Sequence, residues 1–122
     1  MVRTSHQRCA REPTGRHLDD AAAVFHLLSA PIRLRLPWWL LHHPERDVTA
    51  LAAAVGAKVP AVSQHLAKLR LAGLVSARTQ GAQHIYTVDD PHVAVLIEQV
   101  LDHITDSDAR PRPVGPQSGP TS

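Results

Sequence analysis

Three glycines, Gly56, Gly73 and Gly81, punctuate the middle of this 122-residue chain, and the segments between them leave few folds open. Val48 to Val55 reads as a short helix that stops at Gly56, with Asp47 or Thr49 as its cap. After a turn at Gly56-Ala57, another helix is expected from about Val59 to Ala72. Val62, Leu66, Leu69 and Leu71 are assigned to its buried side, and Gly73 closes it. Two helices joined by a short glycine-containing turn make a helix-turn-helix. Leu74 to Arg78 and His84 to Val88 then read as two strands around Gly81-Ala82, a β-hairpin directly after the second helix.

The flanks extend this unit. Leu18 to Ser29 has helical spacing, with Val24, Phe25, Leu27 and Leu28 as apolar positions and Asp19 and Asp20 in the first turn. Pro31 suits the first position of a following helix, which carries Ile32, Leu34, Leu36, Leu40 and Leu41 and stops near Pro44. Pro37 falls inside it. A proline there lacks a donor and clashes with the preceding turn, at a cost of about 3 kcal/mol, so a kink or short break is expected, with Trp38 and Trp39 packed around it. A last helix starts at Pro91, capped by Asp90, and carries Val93, Leu96, Ile97, Val100, Leu101 and Ile104. The expected fold is mainly α with a β-hairpin wing: a winged helix-turn-helix in the order ααααββα. One domain over residues 18–108 is expected. Residues 1–17 read as a flexible arm, and the Pro/Gly-rich residues 109–122 as a disordered tail.

Charge is distributed unevenly although the net value is only +2. No Asp or Glu occurs from Val48 to Val88, a block that carries Lys58, Lys68, Arg70 and Arg78. From Asp89 to Asp108 the balance reverses, with Asp89, Asp90, Glu98, Asp102, Asp106 and Asp108 and neither Lys nor Arg. A basic block suits phosphates, and an acidic block containing His suits a cation. Both also fit ordinary solvated faces. The helix after Gly56 exposes Lys58, Ser63, Gln64, His65, Lys68 and Arg70. Ser and Gln suit base edges in the major groove of double-stranded DNA, whereas Lys and Arg suit phosphate. Arg78, Gln83 and His84 surround the hairpin tip, where a wing touches backbone or minor groove.

Other classes fit poorly. No apolar run has the roughly 18 residues of a membrane span, and no signal-peptide pattern follows the N-terminal basic residues. The single Cys9 excludes an internal disulfide framework. A cytoplasmic location is expected. There is no nucleophile-base-orienter set and no phosphate loop, so an enzyme is not expected.

Leu28-Ser29-Ala30-Pro31-Ile32-Arg33-Leu34, Val62-Ser63-Gln64-His65-Leu66-Ala67-Lys68-Leu69-Arg70 and Ala72-Gly73-Leu74-Val75 together resemble the ArsR/SmtB family of bacterial metalloregulators, over about residues 18–108. The resemblance implies a homodimeric repressor of operator DNA, released by a metal or metalloid ion, with the first and last helices forming the dimer interface. Asp90, His92, His103 and Asp106 match the terminal-helix metal pattern of its zinc-sensing branch, with Asp at the fourth position where Glu or His is usual.

Eleven residues separate His92 from His103. On a helix that returns to within about 20° of the same face but about 16 Å further along. Zinc holds its ligands at about 2 Å, so one helix alone cannot bring the four groups together. Two copies running antiparallel across a twofold axis can, with Asp90 and His92 from one and His103 and Asp106 from the other. Two imidazoles and two carboxylates suit Zn²⁺ or Co²⁺, and His6, Cys9 and His17 in the arm are candidate extra ligands for Ni²⁺ or Co²⁺. His42 and His43 are expected to meet the carbonyls that end their helix, and His26 to pack. The rival readings are a metal-independent winged-helix regulator and a metal-buffering or protein-interaction dimer that does not bind DNA.

Overall fold

The first helix of this chain starts where a hydrogen-bonding side chain stands beside it. The computed structural model describes residues 11–109. Helix α1 spans Gly15–Leu28 and begins three residues before the expected Leu18. The cause is a reciprocal cap. The His17 amide donates to Thr14 Oγ1 (3.1 Å), and the Thr14 amide donates to His17 Nδ1 (3.0 Å). A carboxylate or amide usually fills the second role, so a histidine there is easily missed. His17 is therefore part of a helix and not of an arm. His6 and Cys9 lie outside the described residues, as does the tail beyond Ala109.

Helix α2 spans Pro31–His42 without a break, and Pro37 sits inside it, fully buried. The expected interruption does not occur. Pro37, Leu36 and Leu40 all lie in the core, where burial of the ring offsets the lost donor. Trp38 and Trp39 are partly buried against the core and receive the next histidines. Their rings lie 4.6 Å from His42 and 4.1 Å from His43, respectively. His42 Nε2 also meets Glu98 Oε2 at 3.1 Å, so His42 bridges to the last helix instead of serving its own carbonyls.

The chain then turns through Glu45, at a left-handed φ of 64°, into a short strand, β1 (Arg46–Asp47), absent from the expected order. Helix α3 (Val48–Val55) follows at once, its first turn capped by Asp47, whose Oδ1 accepts from the Ala50 amide at 2.8 Å. Helix α4 (Val59–Leu71) ends where Gly73 takes φ 80°. The Gly73 amide donates to the Arg70 carbonyl and the Leu74 amide to the Leu69 carbonyl, the paired bonds of a Schellman cap.

Strands β2 (Ser76–Gln80) and β3 (Gln83–Thr87) pair antiparallel from Ser76↔Thr87 to Gln80↔Gln83 across the Gly81-Ala82 turn. The first strand starts two residues later than expected, because Leu74 and Val75 are spent on the core and not on the ladder. The sheet order is β1-β3-β2, with Arg46↔Tyr86 and Asp47↔Ile85 paired. Helix α5 (Pro91–Ala109) closes the fold. The architecture is a winged helix-turn-helix, and the described residues hold five helices and a three-stranded antiparallel sheet in the order ααβααββα. Among the described residues no helix is long and apolar enough to cross a membrane.

The core joins Leu28, Leu36, Leu40, Leu51, Leu66 and Ile97, one or more from each helix. Leu66 is completely buried. Truncation to alanine removes that packing and leaves a cavity, so Leu66→Ala is expected to cost about 2–5 kcal/mol. Chemical denaturation checks this as a lower midpoint at unchanged slope.

Candidate nucleic-acid interface and metal half-sites

Val62, Leu66 and Leu69 form the inner line of α4, so the opposite side must face outward. Gln64, Ala67 and Leu71 occupy that outer line, flanked by exposed Ser63, Lys68 and Arg70, with Lys58 at the helix start. Leu71, assigned from the sequence to the core, is 90% exposed. Three residues past Lys68 and two past Leu69, it falls beyond the packed stretch, where an apolar residue type alone does not decide burial.

His65 differs from its neighbours because it is half-buried. Its Nδ1 lies 3.5 Å from Arg33 Nη1, while Arg33 Nε donates to the Leu27 carbonyl at the end of α1 (2.8 Å). A guanidinium only donates, so it fits a neutral imidazole that accepts at Nδ1 and keeps its proton on Nε2. Burial, followed by the positive charges of Arg33 and Lys68, pushes the His65 pKa below its usual value. Arg33 is a contributor that spacing did not reveal, since α2 and α4 meet only through the tertiary fold.

The wing residues are tethered. Arg78 Nη2 donates to Glu45 Oε1 at 3.2 Å and to Gln80 Oε1 at 3.3 Å, while Gln83 Nε2 donates to Asp47 Oδ2 at 2.8 Å. Arg78, Gln83 and His84 remain exposed. The strand absent from the expected order and the turn before it therefore supply the anchors, Asp47 and Glu45, that orient Gln83 and Arg78.

At the start of α5, Asp90 Oδ1 accepts from the His92 amide (2.8 Å) and meets the His92 ring at Nδ1 (3.0 Å). The backbone bond, then the ring contact, holds the Asp90 carboxyl below the usual carboxylate range. Asp90 and His92 thus form one imidazole-carboxylate pair, with the His92 ring almost wholly in solvent. His103 and Asp106 are also exposed and lie three residues apart near the other end of the same helix. Among the described residues of a single chain, no three His, Cys, Asp or Glu side chains converge on one cation position. The donor types suit a borderline divalent ion, as two half-sites and not as one site.

Exposed apolar side chains accompany these half-sites. Phe25 on α1 and Val95, Val100 and Ile104 on α5 are each about half exposed, and His26 is exposed beside Phe25 instead of packed. Phe25 and Val100 border a groove of about 150 Å³ that is floored by Leu28, Leu34 and Ile97.

A family profile described as "Bacterial regulatory protein, arsR family" matches residues 39–77. The HTH-type transcriptional regulator KmtR of Mycobacterium tuberculosis is 42% identical over 74 residues, which are 61% of this chain but only 56% of KmtR. The chain therefore spans little more than half the length of that relative. The transcriptional repressor SmtB homolog of Synechocystis is 39% identical over 100 residues, 80% of this chain and 75% of that protein. In three dimensions, the crystal structure of the AntR antimony-specific transcriptional repressor matches 90% of this chain and 98% of its own, with a TM-score of 0.73 and 31% identity.

The neutral state of His65 has a measurable consequence. The unfolded chain binds a proton near the ordinary pKa of about 6.5, while the folded chain resists it. Stability is therefore expected to fall as pH drops through that value, until the folded His65 also protonates. An NMR titration should place the His65 midpoint below that of a free histidine, and His65→Gln should flatten part of the acid-side loss in thermal stability.

Proposed function

Since the chain belongs to the arsR family of bacterial regulatory proteins, we propose that it is a transcriptional repressor that binds operator DNA as a homodimer and is released by Zn²⁺ or a similar divalent transition metal. The observation that carries the DNA reading is the outer face of α4. It holds Ser63, Gln64, Lys68 and Arg70, lies in a stretch free of carboxylates, and stands next to a wing that carries Arg78, Gln83 and His84. An α-helix fits the major groove, where Gln64 and Ser63 meet base edges while Lys58, Lys68 and Arg70 neutralise phosphates. His65 contributes its Nε2–H donor from a ring steadied by Arg33. The wing then lies along the backbone.

The half-exposed Phe25, Val95, Val100 and Ile104 support pairing of two chains through α1 and α5, where an isolated chain would leave apolar area in water. The groove edged by Phe25 and Val100 offers a seat for a second copy. In an antiparallel pair of α5 helices, Asp90 and His92 of one copy and His103 and Asp106 of the other would hold the ion, and the site would occur twice per dimer. The chemistry that a bound divalent ion supplies is a cross-link between protomers. Asp90 orients the His92 ring through their hydrogen bond, as carboxylates commonly do for ligating imidazoles. Asp106 reaches less far than the Glu or His usual at that position. Release from DNA then requires that the ion favour a dimer whose two α4 helices are wrongly spaced for the operator, and the coupling is reciprocal.

Two outcomes test this reading. On a duplex selected from random sequence by the metal-free protein, affinity should fall steeply with salt, and Lys68→Ala should shallow the log–log slope by about 1. Fluorescence anisotropy on the same duplex should show release on adding Zn²⁺ to the wild type and none with His103→Ala. Retained release in that variant would remove the α5 site from the mechanism, and salt-independent binding would remove the DNA reading.

A further inference from the structure

Asp89 stands between the wing and α5, and its carboxylate closes a small network. Ser76 Oγ donates to Asp89 Oδ2 (2.6 Å) and Thr87 Oγ1 donates to Asp89 Oδ1 (3.0 Å). The two hydroxyl oxygens lie 2.9 Å apart. Each hydroxyl has a single proton, and both are committed to the carboxylate. Ser76 and Thr87 are also the pair that opens the β2–β3 ladder. One charged group therefore grips both strands of the wing at their base through short, charge-assisted bonds. The very next residue, Asp90, grips the first turn of α5 through the His92 amide and ring.

We propose that Asp89, with Ser76 and Thr87, is a positioning latch that couples the Asp90–His92 half-site to the wing. This rests on the reading of α5 as metal-binding. Adjacent Cα atoms are held about 3.8 Å apart, so a shift of the backbone at Asp90 is passed directly to Asp89. Any ligand that takes Asp90 Oδ1 from the His92 amide alters the first turn of α5, and the latch passes that change to both strands. The ladder of five pairs is about 13 Å long, so a tilt of about 4° at its base moves the tip by roughly 1 Å. Arg78, Gln83 and His84 lie along or near that tip. The latch thereby turns a change at α5 into a displacement of the side chains assigned to DNA.

The double variant Ser76→Ala/Thr87→Val removes both donors and leaves every carboxylate beside the half-site in place. With full-length protein and the selected duplex, the zinc-induced loss of DNA affinity is expected to shrink by about tenfold. Zinc affinity without DNA, measured by chelator competition, should stay near the wild-type value. Wing amides of the metal-free variant should exchange faster with deuterated water. Thr87→Ser, which keeps the hydroxyl, should restore the zinc response when set against Thr87→Val, and this pair serves if the double variant does not fold. An undiminished zinc response in a folded variant would overturn the latch while leaving the metal reading intact. A wild type that binds DNA but ignores zinc would overturn both.

Discussion

The inner line of α4 is the constraint on which the rest depends. Val62, Leu66 and Leu69 are wholly buried against α2 and α3. Because side chains on a helix keep a fixed angular relation, locking these three aims Gln64, Ala67 and Leu71 at solvent without any further contact. The Schellman cap at Gly73 ends the helix while Leu74 and Val75 return to the core, and this brings the hairpin alongside. Hydrophobic burial on one face thus produces a rigid polar face on the other.

A second consequence concerns the outer helices. Leu28 on α1 and Val93 and Ile97 on α5 belong to the core, yet Phe25, Val95, Val100 and Ile104 on the same helices do not. Each helix carries more apolar surface than one small domain can enclose. The same helix that exposes this apolar side also carries the Asp90–His92 pair at its start and the exposed His103 and Asp106 near its end. Cover and metal therefore have the same structural requirement, a second α5, which makes pairing and sensing physically inseparable in the proposed mechanism.

Polar contacts tie these parts together at a few points. Arg33 links the end of α1 to His65 on α4, His42 links α2 to Glu98 on α5, and Asp47 serves twice, capping α3 through one oxygen and holding Gln83 of the wing through the other. None of these side chains is fully buried. Each such bond is modest in net energy, so their value lies in orientation more than in stability. The Asp89 network belongs to the same class, distinguished by its position between the wing and the proposed half-site.

The helices and the hairpin were legible because they rest on local chemistry: the 3.6-residue spacing, Pro31 and Pro91 at helix starts, Asp47 and Asp90 as caps, and Gly73 and Gly81 where positive φ is needed. The placement of Asp90, His92, His103 and Asp106 at the two ends of one helix also follows from counting. The early start of α1 rests on a local cap by an unusual residue type, His17, whereas the other differences depend on groups distant in the chain. Leu71 was misplaced because burial depends on what packs opposite. β1 was missed because two residues form a strand only when Tyr86 and Ile85 lie beside them. Pro37 stays within an unbroken helix because the surrounding core accommodates its ring. Arg33 on His65, and Ser76 and Thr87 on Asp89, are contacts between segments whose meeting no spacing encodes. Sequence periodicity determines which residues share a face, but only the packing of those faces decides which side chains come within a hydrogen bond of one another, because that distance depends on all the elements at once.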